Sequence, residues 1–475
     1  MISMSYGRRV IYSDATEITI ENVVDEVRKA ILVHDGNRND IRKLDEYYRG
    51  KTDILNKTRE VRETINHKIA ENRAYEITSF YQGYIFGEPI QYVRRENTSK
   101  NEADDAIASD INVLNGHMAN SGKAACDKDL GKWMLVAGTG YRMILPNKLW
   151  EKDGDEAPFK QYSLDPQNTC VVYNSGVEKY KLMSIHRVTR EQNEVVYSVY
   201  TPEWYFEFTD YGPVTAVPHT LGMIPVVEYP AEARLGIFEI VVPLLDALNE
   251  LQSNRMDDIV QYINSFLAIL GGEVDEEVYK KLEEWKMLCL PEGTDAKYLS
   301  ASLSQSDVQT LKDDIYQSIL TITGLPNRSG GGGGDNGVAV VYRDGYATCE
   351  SRSKLFELGF KEAERETLRL ALRILRDTEG TSLKLTDIDT HFTRRNYENI
   401  ATKAQVLTQM LNNTKIHPEL AFAHSGLFAD PESAYLQSKE WWEENERKLE
   451  EKQEAMTEDA DIGTDKVSEV SKKVS

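Results

Sequence analysis

Five consecutive glycines, Gly330 to Gly334, lie in a segment, residues 326–337, that cannot hold regular structure. So many glycines carry too much backbone entropy for a helix or a strand. The chain must therefore break there, and its neighbours on both sides are strongly helical. Residues 338–377 read as one helix of roughly 60 Å at 1.5 Å per residue. Its apolar face carries Tyr342, Tyr346, Cys349, Phe356, Phe360, Ala363, Leu370 and Ile374. Before the break, Val308, Leu311, Ile315, Ile319 and Ile322 mark another helix. Ser306 and Gln309 suit a capping box at its start, and Gly324 and Pro326 suit its end.

Further upstream, residues 237–264 repeat apolar side chains at three-four spacing: Val241, Leu244, Leu245, Leu248, Leu251, Met256, Ile259, Val260 and Ile263. The opposite face carries Asp246, Asn249, Glu250, Ser253, Asp257, Asp258 and Gln261. Between these two helices lies a compact insert. It holds short strands at 267–270, 287–290 and 297–299 and a charged helix at 273–285. The pattern predicts an antiparallel helix pair carrying a small β-rich knob.

The N-terminal part, to about residue 236, is mixed. Residues 21–34 and 68–85 read as amphipathic helices. Residues 141–145, 169–173, 195–200 and 204–208 read as strands bounded by Pro, Gly, Asn or Asp. After the long helix, 383–393 alternates like a strand. Residues 399–413, 418–425 and 431–452 read as helices, in which Trp441 and Trp442 are expected to pack. From residue 454 the chain is polar and acidic and reads as a disordered tail. The fold class is α+β with several parts, in line with about three structural units for 475 residues.

Charge and composition then exclude classes. Asp plus Glu outnumber Lys plus Arg by 78 to 56, a net charge of −22. Tight static binding of nucleic acid needs a basic footprint, so it is disfavoured; a surface that lets DNA slide past is not. No apolar run approaches the roughly 18 residues of a membrane helix, and the first residues lack the build of a signal peptide. Cys126, Cys170, Cys289 and Cys349 form no C-x-x-C pair and read as free thiols, mostly buried, in a reducing compartment. The glycine run lacks the lysine and hydroxyl of a phosphate loop. No G-x-S-x-G or H-E-x-x-H motif occurs, and His417 and His424 lack acidic partners at ligand spacing. No catalytic residue, cofactor or metal site is expected.

Several stretches in order resemble the portal proteins of tailed bacteriophages, in particular the type found in siphophages of Gram-positive hosts. They are Tyr47-Tyr48-Arg49-Gly50 with Asp53-Ile54-Leu55, Gly83-Tyr84-Ile85-Phe86-Gly87-Glu88-Pro89-Ile90 and Asp165-Pro166-Gln167-Asn168-Thr169. They continue with Leu221-Gly222-Met223-Ile224-Pro225-Val226-Val227-Glu228-Tyr229, the Glu239, Leu244, Asp246 and Asn249 pattern, and Thr323-Gly324-Leu325-Pro326. The resemblance covers residues 45–430.

It implies a ring-forming portal fold. Residues 1–235 would be an α+β wing, 236–266 and 306–324 the two stem helices, and 267–305 a small α/β clip. Residues 325–338 would be a tunnel loop, 339–395 the long helix and wing completion, 396–452 a helical crown, and 453–475 the acidic tail. The implied assembly is a homo-oligomeric ring, about twelve copies, at one capsid vertex of a virion built in the host cytoplasm. Double-stranded DNA would pass through it for packaging and ejection. Terminase, a head-completion adaptor, scaffold and the major capsid protein would be partners, and no membrane.

On this reading Asn327, Arg328, Ser329, Gly330, Gly334, Asp335 and Asn336 approach DNA, and Asp246, Glu250, Asp257 and Asp258 form part of the channel wall. Glu273, Asp275, Glu276 and Glu277, with Trp285, would dock partners, unless they are only a solvated charge run. The basic row Lys361, Arg365, Arg369 and Arg373 steps by four. It is either a solvated face paired with Glu357, Glu362 and Glu366, or a contact to a neighbouring subunit or to DNA. The alternatives are another ring-forming virion protein or a soluble phage enzyme.

Overall fold

The computed structural model describes residues 6–59, 65–95, 103–150, 156–263, 266–270, 295–299, 305–327, 345–392, 400–428, 431 and 434–448. The chain divides into two units, Met1–Asp335 with Ala339–Arg394, and Asn336–Val338 with Arg395–Ser475.

The first unit is α+β. A six-stranded sheet has the order β1 (Ile11–Ser13), β5 (Thr169–Asn174), β6 (Lys181–Thr189), β7 (Val195–Tyr200), β8 (Trp204–Thr209), β9 (Thr215–Pro218). β1 runs parallel to β5 and the other pairs are antiparallel. Apolar residues of this sheet, including Val172, Met183, Ile185, Val199 and Phe206, pack against Val23, Val27 and Ala30 of helix α1 (Val23–Tyr48). α1 runs well past the expected residue 34, and Ile41, Leu44 and Tyr47 are buried along its second half.

The larger core lies under a three-stranded sheet of β10 (Val226–Pro230), β3 (Thr139–Pro146) and β4 (Phe159–Leu164). It is closed by α2 (Arg73–Phe86), α3 (Ala103–Asn120), α4 (Lys123–Ala137), α5 (Val242–Ile263), α6 (Gln305–Thr323) and α7 (Tyr346–Thr378). Two small antiparallel pairs complete the unit. β2 (Gln91–Arg94) pairs with β13 (Ile388–His391), and β11 (Phe266–Leu270) with β12 (Asp295–Leu299). β11 and β12 join the ends of α5 and α6. The strand at 287–290 and the helix at 273–285 fall outside the described residues.

Three expectations on element limits are corrected. α2 starts at Arg73, not 68, because the preceding residues are strapped to α5 (below). The box expected at Ser306 does not form. Ser306 is inside α6, and the Gln309 side chain instead donates to Asp313 and accepts from Arg255. α7 starts at Tyr346, after Gly345 at φ +84°, which interrupts the single helix expected over 338–377; residues 338–344 lie outside the described residues.

One buried cluster ties α7 to the rest. Arg142 on β3 is fully buried and reaches both Glu364 oxygens, at 3.1 and 3.2 Å, and Asp127 on α4. Lys123 sits 3.0 Å from Glu364 and pairs with Asp127. Tyr92 of β2 and Tyr229 of β10 donate their hydroxyls to Glu364. The two cations and two anions balance. Burial opposes ionisation of Glu364, but the charges of Arg142 and Lys123 and the two phenol donors win and hold it below the usual carboxylate range.

The second unit contains α8 (Ile400–Leu411), α9 (Pro418–Ser425) and a helix over residues 434–448. His417 caps α9 by accepting the Glu419 N–H on Nδ1. Phe422 is its core, with Phe428 stacked at 5.3 Å and Tyr435 and Trp442 edge-on. Trp442 thus touches Phe422 but is 38% exposed, and Trp441 is 62% exposed, so neither is buried as a packing residue would be.

Removing one partner from a buried ion cluster costs about 3–5 kcal/mol. Glu364→Gln should lose stability of that order in chemical denaturation. A second test is pH. His34 on α1 is buried near Arg187 and Arg38, and burial pushes its imidazole down to about 4, despite contact with the Gln167 carbonyl. From about pH 6.5 down to about 4, the unfolded chain takes up a proton that the folded chain refuses, so stability falls as pH falls. The full effect is about 3 kcal/mol, and His34→Gln should flatten the melting-temperature profile in that window.

Candidate functional site

The resemblance places function on the α5–α6 pair, the loop after α6 and α7. α5 and α6 run antiparallel. Arg255 meets Gln309, while Gln252 and Lys312 both bind Glu71, so numbers rise on one helix as they fall on the other.

The polar face of α5 is not open to solvent. Residues 67–71 lie along it, antiparallel, and alternate backbone N–H groups are captured by side chains one helical turn apart. Glu71 N–H donates to Asn249 at 2.8 Å, Ile69 N–H to Ser253 at 2.9 Å and His67 N–H to Asp257 at 2.7 Å. The periods match, because four helical residues rise about 6.0 Å and two extended residues rise about 6.6 Å. Ladder and strap thus satisfy backbone donors that would otherwise be orphaned. Asp257 is fully buried and also meets Lys57 at 3.1 Å, Arg59 at 3.2 Å and the His67 ring at 2.8 Å. Burial raises its pKa, but these donors outweigh that and hold it low.

This corrects the expectation that Asp246, Glu250, Asp257 and Asp258 share one open face. Asp257 is a buried anchor. Asp246 accepts the Tyr47 hydroxyl at 2.8 Å, and burial raises its pKa. Only Glu250 and Asp258 are exposed. The sequence reading also passed over α6, where Asp313 and Asp314 are exposed, off the side carrying the buried Ile319. The adjacent acid pair next to that apolar stripe was the available signal.

The end of α6 is held firmly. Gly324 turns the chain at φ +69°, a conformation other residues resist, and Leu325 N–H returns to the Leu320 carbonyl at 3.0 Å. Tyr81 donates to the Thr323 carbonyl at 2.8 Å, and Arg352 of α7 to that of Ile322. Asn327 donates to Gln317 at 3.1 Å. A methyl group placed on Gly345 would lie 3.9 Å from Pro326 Cα. The chain therefore leaves α6 and re-enters α7 at nearly one point; residues 328–344 between them lie outside the described residues. Of the expected DNA-proximal residues, Asn327 is at the exit from α6. Arg328, Ser329, Gly330, Gly334, Asp335 and Asn336 lie outside the described residues, as do Glu273, Asp275, Glu276, Glu277 and Trp285.

The basic row lies on the outer side of α7. Lys361 and Arg365 are half-buried and Arg369 and Arg373 exposed. The expected pairing with Glu357, Glu362 and Glu366 does not form. Glu357 is buried, and Glu366 bonds to Lys181 of β6. Arg373 approaches Asp377 at 3.7 Å.

Among the described residues, no group of three or more His, Cys, Asp or Glu is placed to hold a metal, and no helix is long and apolar enough to cross a membrane. Cys126, Cys170 and Cys349 are buried and not in disulfides; Cys289 lies outside the described residues.

The ladder separates the acids of α5 experimentally. Asp257→Ala strands the cations Lys57 and Arg59 and should destabilise by about 3 kcal/mol. It should also remove hydrogen-exchange protection from the His67, Ile69 and Glu71 amides. Glu250→Ala and Asp258→Ala should stay within about 0.5 kcal/mol of the parent.

No curated protein matches the chain. Among solved structures, the chain is similar to the neck of an empty GTA particle computed with C6 symmetry, at 15% identity and a TM-score of 0.44, over 75% of this chain and 90% of that one. It is also similar to the neck of a native GTA particle computed with C12 symmetry, at 14% identity and 0.42, over 75% and 89%. Likeness at this level says little by itself. The family model described as phage portal protein, SPP1 Gp6-like, matches residues 29–458, most of the sequence, and the chain belongs to that family.

Proposed function

We propose that this portal protein forms a ring of about twelve copies at one vertex of a phage capsid, and that double-stranded DNA passes along the ring axis during packaging and ejection. The observation that carries the mechanism is the close approach of the exit from α6 to the entry of α7, at Pro326 and Gly345. This root is clamped by Tyr81, Arg352 and the Gly324 turn. The segment between holds five consecutive glycines. A firm root under a segment so rich in glycine suits contact with a moving duplex without strain reaching the core.

The acids support sliding rather than gripping. A DNA-binding surface gains affinity by neutralising phosphates and releasing counterions. A wall carrying Glu250, Asp258, Asp313 and Asp314 does the reverse, so DNA is confined without adhering. Arg328 and Asp335 give the loop one cation and one anion for brief contacts. The chain needs no catalytic step of its own. Force comes from a separate terminase, which docks at the clip and later gives way to a head-completion adaptor. Glu273, Asp275, Glu276, Glu277 and Trp285 are the docking residues on this reading. Scaffold and major capsid protein bring the ring into the shell in the host cytoplasm.

A particle carrying Lys in place of Glu250, Asp258, Asp313 and Asp314 should assemble yet package DNA more slowly, with the defect relieved as salt rises. Deletion of residues 330–334 should leave rings intact but reduce packaged length or DNA retention. Full packaging and retention by both variants would contradict the channel assignment.

A further inference from the structure

We propose that the outer ridge of α7 is one half of the contact between neighbouring copies of this chain, and that it meets a different, acidic surface of the next copy. The inference rests on the ring reading above and names a surface that closes the ring.

At 100° per residue, Leu355, Leu358, Lys361, Arg365, Arg369 and Arg373 fall within an arc about 120° wide. The opposite arc holds the fully buried Phe360, Glu364, Thr367, Leu370 and Ala371. The ridge has two halves. Toward the start of α7, Leu355 is 57% and Leu358 64% exposed. Beyond them the four cations extend the ridge by about 18 Å. Among the described residues, Lys361, Arg365 and Arg369 make no ion pair within the chain, although acids exceed bases by 22. Lys181 takes Glu366 away from the ridge, leaving the exposed Glu362 as its one acid between Lys361 and Arg373.

A protein fits this ridge better than DNA. Phosphates would use the cations but not two exposed leucines on the same stripe. Protein interfaces bury an apolar patch beside a polar, arginine-bearing margin. A second copy is the fitting protein, because every copy carries the same excess of acid and so presents complementary charge. The ridge cannot face its own equivalent, since cations would oppose cations. The contact is therefore heterologous, with two different patches meeting head to tail. That is the kind of contact that generates a ring rather than a two-fold dimer.

The test uses the full chain, with light scattering after size exclusion across protein and salt concentration, and retention of a short DNA duplex measured in parallel. K361E/R365E/R369E should raise the concentration for half-assembly about tenfold or more, with the monomer's circular dichroism unchanged. R365K/R369K should stay within about threefold of the parent, because the charge remains. Should the triple variant misfold, R365Q/R369Q replaces it and should show the same direction. Assembly of the reversed variant at parental concentration and salt overturns the ridge assignment while leaving the ring reading intact. Loss of DNA retention with unchanged assembly also overturns it, in favour of DNA. A parent chain that stays monomeric throughout overturns both.

Discussion

Glu364 is the point on which the first unit is organised. It projects from the middle of α7 into a site where β2, β3, β10 and α4 each contribute a partner: Tyr92, Arg142, Tyr229 and Lys123. Each group there would be costly to bury alone, and each is compensated only when all the elements are in place. The cluster therefore acts on specificity more than on bulk stability. It fixes the rotation of α7 about its axis, because only one face can carry Glu364 inward. That rotation in turn sends Leu355, Leu358 and the cations outward, and brings Arg352 to the end of α6. A long amphipathic helix held by apolar contacts alone could roll by tens of degrees at little cost. An ion pair of fixed geometry prevents it.

A second polar device does for α5 what Glu364 does for α7. Asn249, Ser253 and Asp257 form a column with the spacing of an extended chain, and residues 67–71 dock on it. The two devices leave the helix pair and the long helix rigid where they meet the loop 327–344. The glycines Gly330 to Gly334 fall in the stretch between these two anchored ends. On the proposed reading, the two anchored helices would form the frame of the channel and carry its acids.

The sequence made some of this legible and hid the rest for identifiable reasons. Helices and strands with strong periodicity were found within a few residues, as with Val195–Tyr200 and Pro418–Ser425. Periodicity reports burial, however, and not what does the burying. The polar stripe of α5 was read as solvent-facing because polar residues usually are. Here it is covered by a strap whose own side chains give no hint of the match. α6 was credited with a box at Ser306 because the spacing was right, but Arg255 and Asp313 compete for Gln309. The buried Arg142 and Glu364 left no local trace, since they lie in different elements 222 residues apart. By contrast, several residues that carried the family resemblance prove to be joints. Tyr47 meets Asp246, Asn249 meets Thr52 and Glu71, Glu239 meets Arg8 and the Gly7 amide, and Thr323 meets Tyr81. Such joints need particular side chains at particular places, which is why they read as motifs.

The central claim is that copies of this chain enclose an axial passage lined by the acids of the α5–α6 pair. Electron microscopy of the assembled full-length chain tests it most directly. The account predicts a closed ring with a central hole, Glu250, Asp258, Asp313 and Asp314 facing that hole, and residues 327–344 projecting toward it. A ring in which those acids lie on the outer rim, or a particle with no axial opening, would contradict it.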